Sequence, residues 1–210
     1  MTFVFTASTP KTAWLLVDRR LSWPGRAPND TAQKLISVET KDGQVLIGYC
    51  GLGETAQGTQ PSDWMARTLR GVTLPLEQSL EVLREAAERR LLPFINQIGG
   101  YHAMIAVGFR NGEPRTYRIE VIGGRTPKVT LRWHTWKVFQ SFGQRGAFFA
   151  AGGSGIVAVA KESLRSKNLL HILRAHDCGR INPPTVARYL GPAIDADLAE
   201  LPTSRDDRIA

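Results

Sequence analysis

A hairpin closes the first quarter of the chain. The runs KLISVET and QVLIGYCGL read as two strands, and Lys41-Asp42-Gly43 between them is a tight turn signal. A second hairpin follows the same design: HAMIAVGF and TYRIEVI flank Asn111-Gly112. A chain with two such hairpins far apart must build antiparallel sheet and cover it.

The surrounding segments extend that reading. Residues 2–8 alternate and are rich in Val, Phe and Thr, so they predict a strand. TAWLLVD is a continuous apolar run, which fits a buried strand, and SWPGRAPND is a loop by its Pro, Gly and Asn content. The period then changes. PSDWMARTLRG predicts a short helix with Ser62 as its N-cap. Leu76, Leu80, Leu83, Ala87 and Leu91 share one face at helical spacing, Glu85 and Arg89 form an i,i+4 pair, and Pro93 marks an end or kink.

β patterns return in KVTLRWHTWKVFQSF and AFFAAGG, and SGIVAVAKESLRSKNLLHILRAH predicts a helix. NPPTVARYLGPAIDADLAEL opens as a short helix to Leu190 and continues as either helix or strand. Four strands, two helices, four or so strands and one or two helices predict an α+β fold. The expected form is a four-layer αββα sandwich, two antiparallel sheets between helix layers. We expect one domain over residues 1–201 and a polar tail over 202–210.

Bulk properties restrict the function classes. The chain has 210 residues, 42% of them hydrophobic and 22% charged, which suits one globular domain without staples. Two cysteines, Cys50 and Cys178, make no disulfide framework and fit a reducing cytoplasm. The N-terminus lacks the basic and apolar regions of a signal peptide. No apolar run reaches the roughly 18 residues that span a membrane.

The net charge of +8 permits a nucleic-acid partner, but arginine is spread along the chain rather than gathered in a block. RWHTWKVFQ interleaves basic and aromatic residues on a strand, and a subunit interface explains its mixed faces better than nucleic-acid binding does. His171, His176 and Cys178 lack a fourth ligand for zinc, so no metal is expected. His102 and His134 fall in strands as structural residues. Gly152-Gly153-Ser154-Gly155 lacks the spacing and the Lys-Ser/Thr of a phosphate-binding loop.

Chemistry concentrates at the start. If Met1 is removed, Thr2 carries a hydroxyl nucleophile and a free α-amine, whose pKa of about 7.7–8.0 suits it to accept the hydroxyl proton. Such a pair needs a nearby cation, a residue to orient it and oxyanion donors. Asp18, Lys34 and Gly48 lie 16, 32 and 46 residues after Thr2, the first ending a strand, the second beginning one, the third inside LIGYCG.

TFVFTAST, VDRRLS, the lysine of KLISVE and GYCGLG resemble, without a gap from Thr2 to Gly48, the proteasome β subunits and the related bacterial ATP-dependent threonine peptidases. AAGGSGIVAVA resembles the family's later Gly-Ser-Gly turn that opens a helix, so the likeness spans roughly residues 2–165. It implies that Thr2 Oγ attacks a peptide carbonyl with its own amine as base. Lys34 would lower the proton affinity of the nucleophile, Asp18 would hold Lys34, and the Gly48 amide would serve the oxyanion. Ser154 would help position the amine, and Arg20 would be structural.

The same carry-over implies a pocket lined by Leu21, Ala32, Ile36, Leu46 and Cys50, rimmed by Glu54, and favouring apolar side chains. It further implies a homo-oligomeric ring acting on peptides without cofactor, in the cytoplasm, with an ATP-driven unfoldase as an optional partner. Two departures stand out. The family's supporting Asp-x-x-Ser-Gly-Gly segment has no counterpart, HDCGRI being the nearest, and Ile156 replaces the second serine of the Gly-Ser-Gly-Ser turn. A catalytically silent ring subunit, or less so a basic nucleic-acid-binding module, is the alternative.

Overall fold

The strand Thr12–Asp18 is buried along its whole length. A strand so enclosed needs a partner on each edge and cover on each face. The computed structural model supplies both, and describes residues 3–21, 27, 29–51, 60–98, 101–125, 128–133, 147–152, 172, 175–190 and 196–202. In chain order the elements are β1 (Phe3–Ser8), β2 (Thr12–Asp18), β3 (Leu35–Thr40), β4 (Gly43–Cys50), α1 (Pro61–Leu69), α2 (Leu76–Arg90) and α3 (Leu92–Ile98). They continue as β5 (Tyr101–Arg110), β6 (Glu113–Ile122), β7 (Lys128–Trp133), β8 (Ala147–Gly152), α4 (Pro183–Leu190) and β9 (Ala196–Pro202).

The strands form two antiparallel sheets, ordered β8-β1-β2-β9 and β3-β4-β5-β6-β7. Both expected hairpins form. The β5–β6 turn places Asn111 at φ 50° and Gly112 at φ 77°, the two positive values that a tight two-residue hairpin requires. Val4, Ala13, Leu15 and Val17 of the first sheet pack against Leu46, Cys50, Ala103, Ile105 and Val107 of the second. On the other face of the second sheet, Val45, Ile47, Tyr117, Ile119 and Val121 meet Met65, Leu76, Leu80, Leu83 and Ile95 from α1–α3. Against the far face of β2, Trp14 meets His176 edge-on at 4.8 Å, and Thr12 Oγ1 donates to Asp177 Oδ1 at 2.8 Å.

Two local expectations change, and two that left alternatives are resolved. Ser62 does not cap α1: Gln60 is the N-cap, Pro61 takes the first helical position with its φ already set, and Ser62 lies buried inside the helix. The end or kink expected at Pro93 is a break: α2 stops at Arg90 and α3 starts at Leu92, with Pro93 in its first turn, where its missing N–H costs nothing. The ambiguous C-terminal stretch is strand β9, which pairs with β2 from Thr12 opposite Pro202 to Asp18 opposite Ala196. The tail therefore cannot begin at 202, since Pro202 still belongs to that strand. Among the described residues, no helix is long and apolar enough to cross a membrane. The loop 22–26, the helix expected over most of 154–176 and the strand after Trp133 lie outside the described residues.

Candidate active site

Lys34 is fixed before its side chain does anything. Its carbonyl accepts the Tyr49 N–H at 2.9 Å, which ties it to β4. Its neighbour Gln33 is held on both sides by the start of α1: the Gln33 N–H donates to Gln60 Oε1 at 2.9 Å, and the Gln33 carbonyl accepts the Ser62 N–H at 3.4 Å. No local pattern signals this docking, because Gln33 and Gln60 are 27 residues apart and neither belongs to a motif.

The Lys34 side chain runs inward and is 1% exposed. Its Nζ donates to Asp18 Oδ2 at 3.0 Å and to the Arg20 carbonyl. Asp18 ends β2 and is 4% exposed, so both charges are out of water. Burial draws the Lys34 ammonium below the usual lysine value, while the charge and hydrogen bond of Asp18 pull it back up. A buried cation with softened proton affinity, held by one carboxylate and one carbonyl, suits a group that must sense a nearby proton transfer.

The segment between β2 and β3 is braced. Leu21 and Asn29 exchange backbone hydrogen bonds at 2.7 and 2.9 Å, and the Ala32 N–H donates to the Arg19 carbonyl at 3.2 Å. Arg20 forks onto Asp30 at 2.6 and 3.1 Å, on the solvent side. Its side chain therefore faces away from Lys34 while its carbonyl faces it.

Gly48 lies where the two sheets approach closely. A Cβ there would stand 2.8 Å from Val17 Cγ2 and 3.2 Å from Val4 Cγ1, so only glycine lets β4 pass under β1 and β2. Cys50, two residues on, is buried and forms no disulfide. Burial, then the Asp18 charge, push its thiol up to about 11, with Lys34 opposing. It is a neutral thiol at pH 7.

The expected pocket residues divide. Leu21 and Ala32 are buried on the braced segment. Leu46 and Cys50 face the space between the sheets, whereas Ile36 packs toward the helices. Strand alternation accounts for this: Ser37 stands opposite Leu46, and Ile36 points the other way. Thr2, Ser154 and Glu54 lie outside the described residues.

Behind the site, Tyr49 OH meets His102 Nδ1 at 2.5 Å, and burial brings His102 down to about 4. Neutral His102 and Tyr49 thus share one hydrogen bond, whose direction follows the His102 tautomer. Its ring also fills the space that a Cβ on Gly51 would need, 2.3 Å from Nδ1. Among the described residues, no group of three His, Cys, Asp or Glu side chains is arranged to hold a metal ion.

No protein-family model matches the sequence, and no curated protein matches it. Solved structures match its fold. The Anbu (Gly-1) mutant from Hyphomicrobium sp. strain MC1 superposes with a TM-score of 0.55 at 15% identity, covering 100% of this chain and 90% of that one. Anbu from Yersinia bercovieri, an ancestral beta-subunit, superposes with a TM-score of 0.53 at 14% identity, covering 97% and 84%. The fold is proteasome-like. At such identities the likeness to Anbu is one of fold, and it extends over nearly the whole of both chains. It includes the C-terminal part of the chain.

Proposed function

We propose that this chain is an N-terminal threonine peptidase of the proteasome type. Thr2 becomes terminal when Met1 is removed, and its hydroxyl attacks a peptide carbonyl. The Thr2 amine takes the hydroxyl proton and later gives it to the leaving amine, and water then hydrolyses the Thr2 ester. Lys34 favours the alkoxide by its charge, Asp18 and the Arg20 carbonyl hold Lys34, and the Gly48 amide serves the oxyanion. Ser154 helps place the amine. Leu21, Ala32, Leu46 and Cys50 line an apolar pocket with Glu54 at its rim.

The observation that carries this reading is the buried Lys34–Asp18 pair at 3.0 Å, with Gly48 on the strand beside it. Water does not neutralise such a pair cheaply, and its placement suits a site rather than a surface.

The complete architecture in this proposal is the four-layer αββα sandwich, one domain that closes with β9 at Pro202. Chains assemble as a closed homo-oligomeric ring in the cytoplasm. Support comes from the likeness in fold to Anbu of Yersinia bercovieri, an ancestral beta-subunit.

Intact mass together with a small peptide-substrate screen tests the proposal on wild type, Thr2→Ala and Lys34→Ala. A wild-type mass lacking Met1, with cleavage lost in both variants, supports it. Cleavage that survives Thr2→Ala sinks it. A ring that retains Met1 and cleaves nothing favours the silent-subunit alternative, which the missing Asp-x-x-Ser-Gly-Gly segment keeps in view.

A further inference from the structure

Three consecutive residues leading into β3 have backbone groups taken by three different parts of the fold. The Ala32 N–H donates to the Arg19 carbonyl at 3.2 Å, just past the end of β2, and the Lys34 carbonyl accepts the Tyr49 N–H of β4 at 2.9 Å. Between them, both backbone groups of Gln33 meet the start of α1. The Gln33 N–H donates to Gln60 Oε1 at 2.9 Å, and the Gln33 carbonyl accepts the Ser62 N–H at 3.4 Å.

The helix side of this exchange breaks a local rule. Gln60 is the N-cap of α1, yet its side chain makes no capping bond to its own helix. Asn, Asp and Ser cap well because a short side chain returns its oxygen to an N–H of the first turn. The longer Gln60 side chain crosses to Gln33 instead, and Gln33 supplies the carbonyl that takes a first-turn N–H of α1. That is the reciprocity of a capping box, built between segments 27 residues apart.

The clamped residue is the one before Lys34, whose buried Nζ meets Asp18 Oδ2 at 3.0 Å and the Arg20 carbonyl. A lysine stem is long and flexible, so its ammonium is aimed only if the backbone that carries it is fixed. Resting on the peptidase reading above, we propose that Gln60 is a positioning residue that aims Lys34 by clamping the Gln33 backbone to the start of α1. A shift of α1 away from β3 moves Lys34 with it and opens the Lys34–Asp18 contact. The clamp uses only the backbone of Gln33, which is itself exposed.

The test uses the full-length chain as wild type, Gln60→Asn, Gln60→Met, Gln60→Glu and Gln33→Ala. Asn is the better N-cap for α1 but one carbon too short to reach Gln33, so it separates helix capping from the clamp. Met keeps the length without the acceptor. Glu keeps length and acceptor, with a charge that a helix N-terminus favours. Lys34 is read by its acetylation with trace acetic anhydride and peptide mass mapping. In parallel, kcat and KM are measured on a peptide substrate.

Gln60→Asn and Gln60→Met should acetylate Lys34 roughly tenfold faster, through easier local opening. Their kcat should fall roughly tenfold with KM little changed, because a misaimed group costs rate rather than binding. Gln60→Glu and Gln33→Ala should stay near wild type in both readouts. Wild-type labelling in a folded Gln60→Asn overturns the proposal, as does a Gln60→Glu protein that behaves like Gln60→Met. Faster labelling with kcat unchanged overturns it too. If Gln60→Asn does not fold, Gln60→Met decides alone.

The acetylation needs no turnover, so the two readings fail separately. Faster Lys34 labelling in a chain without peptidase activity sinks the peptidase but not the clamp, and an active peptidase with unmoved labelling does the reverse.

Discussion

Lys34 Nζ and Asp18 Oδ2 lie 3.0 Å apart, and neither side chain is more than 5% exposed. Taking away one partner strands the other charge out of water. Asp18→Asn should destabilise the fold by about 3–5 kcal/mol. The double variant Asp18→Asn/Lys34→Met should cost less than the sum of the two single changes. Urea denaturation of the four proteins measures both quantities, and additive costs would contradict the pairing.

His102 gives a pH dependence whose sign follows from its burial. Its folded value is lowered to about 4 from 6.5, so between those values the unfolded chain binds a proton that the folded chain does not. Its share of stability is full above pH 6.5 and is lost as pH falls toward 4, up to roughly 3 kcal/mol. Thermal melts of wild type and His102→Gln from pH 7 to 4 should converge as the pH falls. Parallel curves would remove His102 from the account.

Cys50 and Cys178 should react very differently with a thiol reagent. Cys50 is buried with its thiol pushed up to about 11, while Cys178 is exposed. The thiolate is the reactive form, so iodoacetamide at pH 7.5 should label Cys178 first and leave Cys50 at least about a hundredfold slower. Peptide mass mapping against time reads this, and rapid labelling of Cys50 would show that it is open to solvent.

Asp42 holds three elements at once. Its Oδ1 accepts the Leu76 N–H at 2.6 Å at the start of α2, and its Oδ2 takes Arg110 Nε at 2.9 Å from β5. Arg110 in turn reaches Glu77 at 2.5 Å. Burial works to raise the Asp42 carboxyl, but the Leu76 N–H and Arg110 outweigh it, so its pKa is lowered. Its contribution is present above the unfolded carboxylate value and is lost as pH falls through the lower folded one. Asp42→Ala should cost about 1–3 kcal/mol at pH 7 in a denaturation curve, with a smaller difference at pH 3.

The parts of the fold governed by local pattern were legible. The two hairpins follow from short polar turns between apolar runs, and α2 follows from leucines at helical spacing. What eluded the sequence depends on distant partners. The N-cap of α2 is supplied by Asp42, 34 residues back, while Pro75 beside the helix offers no side-chain cap. β9 is strand because β2 lacks a partner on that edge, and no pattern within ADLAELP announces it.

The candidate site shows the same division. The family resemblance singled out Asp18, Lys34 and Gly48, and the fold places the first two in contact and the third on the neighbouring strand. The anchoring of Gln33 by Gln60 depends on docking that a linear reading lacks. Ile36 shows the limit of carrying a pocket over by position: one step of strand alternation sends it to the helix side.

The central claim is that Thr2 is the nucleophile, and a peptide β-lactone probes it most directly by leaving an acyl ester on whichever group attacks. Peptide mapping of the treated wild-type protein should place one adduct on an N-terminal peptide beginning at Thr2, with loss of peptidase activity and no adduct in Thr2→Ala. An adduct on any other residue, or full activity from a chain that keeps Met1, would contradict the account.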